Sequence, residues 1–213
     1  MNGAFRDTWT KLSPTERDVV TALSMVYEER SVLDLSRLLN KIGLRPPVGE
    51  NRFTHADTEV IVHKLHELGI AVKHDDRSWR INTDVSEEIM RLAHRRPDFE
   101  HLLNEVRREL PYKTYWQPSS HLALMREIRI AFYLQNESSF ERLQNETETF
   151  YPDKAKTGIF IDPLFGFFEP RWVEQLPPAW QEINVRKAFR QAIAEMEPLD
   201  SLVELLEQHD NIR

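Results

Sequence analysis

Two imidazoles one helical turn apart are the nearest approach in this chain to a set of metal ligands. His63-Lys-Leu-His66 puts them at i and i+3 on one helical face, with Glu59 a turn earlier, a spacing able to hold a divalent ion. No further ligand is evident nearby, and catalytic zinc generally takes three protein ligands, so the expectation is a solvated polar face and no metal. Glu87-Glu88 and Asp75-Asp76 read as a helix start and a turn rather than as acid-base pairs, because nothing around them suggests a desolvated cleft. No phosphate-binding Gly-x-x-x-x-Gly-Lys-Ser/Thr loop, no Gly-x-Gly-x-x-Gly turn and no Gly-x-Ser-x-Gly elbow occurs, and there are six glycines and no cysteine. Little material is left for cradling phosphates or for thiol nucleophiles. The expectation is a protein with no catalytic residues, no metal and no cofactor.

The charge balance narrows the partners. The formal net charge is -7, with 13 basic against 15 acidic residues up to Ala93 and 15 against 20 beyond it, so neither half coats nucleic acid through bulk electrostatics. No run approaches the roughly 18 to 20 apolar residues of a membrane span, and the opening MNGAFRDTWTKLS lacks the apolar core of a secretory signal. A cytoplasmic protein without a membrane partner is expected.

The elements that must position these residues begin at Leu12-Ser-Pro-Thr-Glu16, where Ser13 caps, Pro14 takes the first helical position and Glu16 completes a capping box. Val19, Val20, Leu23, Met25 and Val26 follow with mostly helical spacing, making the first helix. A second runs from Ser31 with Leu35, Leu38, Leu39 and Ile42 on one face and Gly43 at its close. The loop Leu44 to Phe53, with two prolines and a glycine, precedes a third helix capped by Thr54 or Asp57, facing inward through Ile61, Leu65 and Leu68 and ended by Gly69. Two β-prone runs around Asp75-Asp76-Arg77-Ser78, closing on Trp79-Arg80-Ile81, predict a hairpin whose turn is built from local side-chain hydrogen bonds.

Three helices followed by HELGIAVKHDDRSWRI resemble the winged-helix family, over about residues 8–93. The resemblance implies a helix-turn-helix module of three helices and a β-hairpin wing, with the third helix able to read DNA in the major groove. Its outward side here is expected to show His55, Glu59, Val62, His63 and His66, with Asp57 and Lys64 on the flanks. Direct DNA contact would fall to Arg45 and Arg52 in the loop, His55 and His63 on the helix, and Lys73, His74, Arg77 and Arg80 on the wing. A carboxylate at Glu59 would face phosphate, and solvated surface charge is the preferred reading of these cations. A winged helix without a basic recognition face is implied to dock protein or to dimerise.

The second half, 94–213, reads as an α-helical platform. Asp98 to Leu110 carries an apolar side and stops at Pro111, and Ser120–Leu134 with Ser138–Phe150 reads as an antiparallel helical hairpin. Ala131-Phe-Tyr-Leu-Gln-Asn and Phe140 look like one tetratricopeptide unit, yet no second copy follows at that family's period. The aromatic-rich loop 158–172 holds Phe160, Phe165, Phe167, Phe168 and Trp172 among breaks at Pro163, Gly166 and Pro170. Core filling is the first expectation for these rings, and an exposed protein interface the second. Pro178–Met196 and Leu199–His209 read as final helices, and the stop at Asp210-Asn-Ile-Arg213 directly after a regular amphipathic helix fits an amino-terminal piece of something larger.

The stretch FFEPRWVEQLPPAWQEINVRKAFRQAI and the helical hairpin before it are similar to helical segments preceding the motor in some large bacterial Swi/Snf-type helicase-like ATPases, which implies an accessory or regulatory region. The fold class expected is thus mainly α, a winged-helix domain over 1–93 followed by an α-helical domain of helical-hairpin type over 94–213. The function expected is a non-catalytic protein-protein interaction module in a DNA-associated assembly, with a larger assembly or an ATPase as protein partner and a homodimer as another arrangement. A transcription regulator that binds DNA through the third helix and wing is the alternative.

Overall fold

Ser13 starts the helix around which the first part of the chain is built. Its Oγ accepts from the Glu16 amide at 3.3 Å, while Glu16 Oε2 accepts from the Ser13 amide at 2.8 Å, so two donors that a helix start leaves orphaned are satisfied. The computed structural model describes residues 3–46, 52–114, 116–165, 169–195 and 203. They are mainly helical with a small three-stranded sheet and a two-stranded ribbon, and the chain divides into two compact units, Met1–Leu134 and Gln135–Arg213. No helix among the described residues is long and apolar enough to cross a membrane.

In the first unit a short helix, α1 (Gly3–Thr10), precedes α2 (Pro14–Val26), and Val19 through Val26 are buried without interruption. A helix buried all round is a central one. The chain turns at Tyr27, in left-handed backbone at φ 58°, and forms β1 (Arg30–Ser31) before α3 (Val32–Lys41), which Ser31 caps. Gly43 at φ +80° closes that helix. Next comes α4 (His55–Glu67), where the two expected capping residues act together: Thr54 Oγ1 accepts from the Asp57 amide, and Asp57 Oδ2 accepts from the Thr54 amide at 2.9 Å.

β2 (Ala71–Lys73) and β3 (Ser78–Ile81) are the expected hairpin, paired antiparallel with Ala71 opposite Ile81 and Lys73 opposite Trp79. Asp75 Oδ1 accepts from the amides of Arg77 and Ser78, both at 2.7 Å, which is the side-chain turn its sequence suggested. β1 joins the other edge of β3, giving the order β1-β3-β2. That strand was not foreseen, since two residues ahead of a helix carry no period of their own.

α5 (Thr83–His94), α6 (Phe99–Glu109), the ribbon β4 (Lys113–Thr114) and β5 (Gln117–Pro118), and α7 (His121–Tyr133) complete the first unit. The boundary expected at 93/94 therefore falls inside a compact unit, and the reason lies in α7. Every residue from Ala123 to Tyr133 is buried, although Arg126, Glu127 and Arg129 are among them. Arg129 donates to Glu87 Oε1 at 2.6 Å, to Ser86 Oγ at 2.6 Å and to the Ser24 carbonyl at 2.8 Å, and its guanidinium lies 4.0 Å from the Tyr27 ring centre. Arg126 donates to Glu28 Oε2 at 2.7 Å and to the Leu110 carbonyl at 2.5 Å, and Glu127 pairs with Arg107 at 2.9 Å. The arginines of α7 thus occupy carbonyls left over at the C-terminal ends of α2 and α6. Tyr133 donates to Glu87 Oε2 at 2.8 Å; burial, with the Glu87 charge beside it, pushes its hydroxyl well above the ordinary value, so it remains a donor.

The second unit contains α8 (Glu137–Phe150), α9 (Pro152–Lys156), α10 (Asp162–Phe165), α11 (Pro170–Val173) and α12 (Pro178–Glu195). The two helices of the expected hairpin are α7 and α8, and their junction is the division between the units. Phe140 packs on Trp180 with ring centres 4.9 Å apart and meets Phe165 edge-on at 6.5 Å. The expected helix Leu199–His209 lies outside the described residues apart from Val203.

Candidate interaction surface on α4 and the hairpin

α4 turns Thr58, Ile61, Val62 and Leu65 into the first unit. Thr58 Oγ1 accepts from Ser36 Oγ of α3 at 2.9 Å and donates to the Thr54 carbonyl at 3.0 Å, so a hydroxyl anchors the inward face beside the aliphatic residues. Val62 was expected outward and is fully buried, while Val60 is 70% exposed. The two valines flank Ile61 symmetrically, and the 4-3 spacing of Thr58, Val62 and Leu65 decides which points in.

The outward stripe is Ala56, Glu59, Val60, His63 and Glu67, all exposed. It holds two carboxylates and neither arginine nor lysine. Lys64, beside the stripe, bonds Glu16 Oε1 of α2 at 2.6 Å. Burial opposes charge on Glu16, but that pair and the Ser13 bonds outweigh it and hold the carboxyl below its ordinary range. His63 and His66 both set their rings edge-on to Trp79 at 5.0 and 5.5 Å, and His66 Nδ1 lies 3.1 Å from the Ala71 carbonyl. These imidazoles fasten the helix to the sheet, and no group of three residues able to hold a metal occurs among the described residues.

Several of the predicted nucleic-acid residues lie near carboxylates. His55 lies 3.7 Å from Glu59, Lys73 lies 3.7 Å from Asp76, and His74 and Arg80 share Glu29 at 3.5 and 3.9 Å. Arg77 is exposed at the tip of the hairpin turn, and Arg45 and Arg52 are exposed at the two described ends of the preceding loop.

The aromatic segment of the second unit is a core element where it is described. Phe160, Phe165 and Trp172 are each buried to 2% exposure, so they form no exposed interface: α10 and α11 turn Phe165 and Trp172 inward, and Phe160 is buried in the turn before α10. Phe167 and Phe168 lie outside the described residues. An open cleft of about 650 Å³ in this unit is lined by Asp162, Ile183, Arg186, Lys187 and Arg190. Asp162 takes Lys187 at 2.8 Å and Glu182 takes Arg186 at 2.5 Å, which weakens it as an anion site.

Sequence reading missed Val60 and Glu67 as surface residues of interest, and it missed Trp116, 72% exposed between β4 and β5. Neither a protein-family model, nor a curated protein, nor a solved structure matches the chain.

Proposed function

We propose that the segment from α2 to β3 is a winged helix serving as a non-catalytic interaction module, an accessory or regulatory element of a DNA-associated assembly. Three helices followed by a hairpin, with β1 paired to its second strand, support the winged-helix reading. The observation that carries the function is the outward stripe of α4. Base readout needs arginine, lysine, asparagine or glutamine aimed at base edges. Ala56, Glu59, Val60, His63 and Glu67 offer instead small, apolar and acidic surface, which suits another protein and repels phosphate. The exposed Arg77 at the hairpin tip favours, as second reading, a regulator that clamps the DNA backbone.

One titration separates the two. Anisotropy of a labelled duplex, followed from roughly 50 to 200 mM salt, reports phosphate contacts as a steep loss of affinity. The expected result is weak binding, little changed by Arg77→Ala with Arg80→Ala. Nanomolar, salt-steep binding abolished by that double substitution would overturn the docking reading.

A further inference from the structure

We infer that the cleft along α12, in the second unit, docks an acidic amphipathic helix of a partner protein. The inference stands apart from the reading of α4. Ile183, Arg186, Arg190 and Ile193 are all exposed and follow one another at spacings of three, four and three, so they share one side of α12. Gln181, Ala188 and Ala192 are buried on the opposite side. The two isoleucines are 45% and 66% exposed and stand about 15 Å apart at 1.5 Å per residue, with both arginines between them. The open cleft of about 650 Å³ lies on this side, lined by Ile183, Arg186, Lys187 and Arg190 of α12 and by Asp162 of α10.

Charge selects the occupant. Lys187 is held by Asp162 at 2.8 Å, which makes the cleft a poor cradle for a small anion. Arg186 meets Glu182 at 2.5 Å, but the two are 71% and 50% exposed, a pair that solvent screens and that leaves the guanidinium open to a further carboxylate. Arg190 enters no ion pair among the described residues. A second copy does not fit: a parallel pairing sets each arginine against its own counterpart, and an antiparallel pairing level with Ala188 sets Arg186 against Arg190. An extended polyanion fits no better, because the chain from Gln135 onward carries 15 acidic against 8 basic residues and repels it outside the cleft. A short helix with two carboxylates between aliphatic ends answers the arginines and covers the isoleucines together. One helix face is well below a standard interface area, so the association is weak and reversible.

Three fluorescein-labelled, alanine-based helical peptides serve as probes for the full-length chain, read by anisotropy. The first carries leucine at both ends of one side and two glutamates between them, the second has lysines for the glutamates, and the third has alanines for the leucines. Labelled oligothymidylate is the flexible polyanion. The first peptide should bind about five-fold more tightly than each of the other probes. Arg190→Glu should lower its affinity about five-fold and raise that of the lysine peptide by a similar factor, while Ile183→Ser lowers it about five-fold with the charge untouched. Both positions are exposed, and circular dichroism checks that each variant keeps the fold. Absence of saturable binding, equal binding of the lysine or leucine-free peptide or of oligothymidylate, or an Arg190→Glu chain that fails to exchange its preference overturns the acidic helix as occupant. The duplex titration with Arg77→Ala and Arg80→Ala reads α4 and the hairpin, so the two readings fail separately.

Discussion

Arg129 illustrates what a single buried charge demands. Its guanidinium is enclosed by Glu87, Ser86, the Ser24 carbonyl and the face of Tyr27, and removing one member of a buried pair leaves the other desolvated and uncompensated. Arg129→Met is expected to cost roughly 3–5 kcal/mol in urea unfolding of the intact chain, and Arg129→Met with Glu87→Leu to recover part of that loss. His94 carries the pH response of the same unit. Its ring is half-buried, edge-on to Phe99 at 5.3 Å, and burial, partly opposed by a bond to the Tyr133 backbone, lowers its pKa from the ordinary 6.5. The folded state therefore prefers the neutral ring. Its stabilisation is complete above pH 6.5 and is lost as the pH falls below that value toward the folded pKa, because the unfolded chain takes up the proton first. Thermal unfolding between pH 7 and 5 should show a drop in Tm that is smaller in His94→Gln; an equal drop would remove the assignment.

At the scale of elements, the ends of helices were legible because their signals are local. Ser13 with Glu16, and Thr54 with Asp57, need no distant residue to act. Two glycines show how local and tertiary demands differ. Gly69 ends α4 at φ +72° with nothing near its missing Cβ, so Gly69→Ala meets only left-handed backbone strain, roughly 1–2 kcal/mol. Gly158 has the same φ, but a Cβ there would lie 2.2 Å from Asp162 Oδ2, the carboxylate that holds Lys187 at 2.8 Å. Gly158→Ala is expected to cost more, because it must also displace that ion pair. Hydrogen exchange should register the first substitution in residues 1–134 and the second in 135–213; a larger effect from Gly69→Ala would contradict the argument.

For the molecule as a whole, net charge is the term that governs encounters. At -7 the chain repels a polyanion at long range, and near α4 Lys64 bonds Glu16 while Lys73 and Arg80 lie beside Asp76 and Glu29. Weak duplex binding is the expected consequence, and a salt slope corresponding to several phosphate contacts would refute it.

The sequence by itself determined the helical character, the hairpin after α4 and its Asp75 turn, and the inward residues of α2 and α3, since period and capping act within a few residues of chain. It also showed the absence of nucleotide-binding and thiol motifs. Only the tertiary structure decided that Arg126, Glu127 and Arg129 lie inside, because their partners stand elsewhere in the chain, Glu28 in the turn after α2, Glu87 on α5 and Arg107 on α6. The same holds for the pairing of β1 with β3 and the inclusion of residues 94–134 in the first unit. Each depends on what long-range packing brings alongside, and no local pattern encodes that.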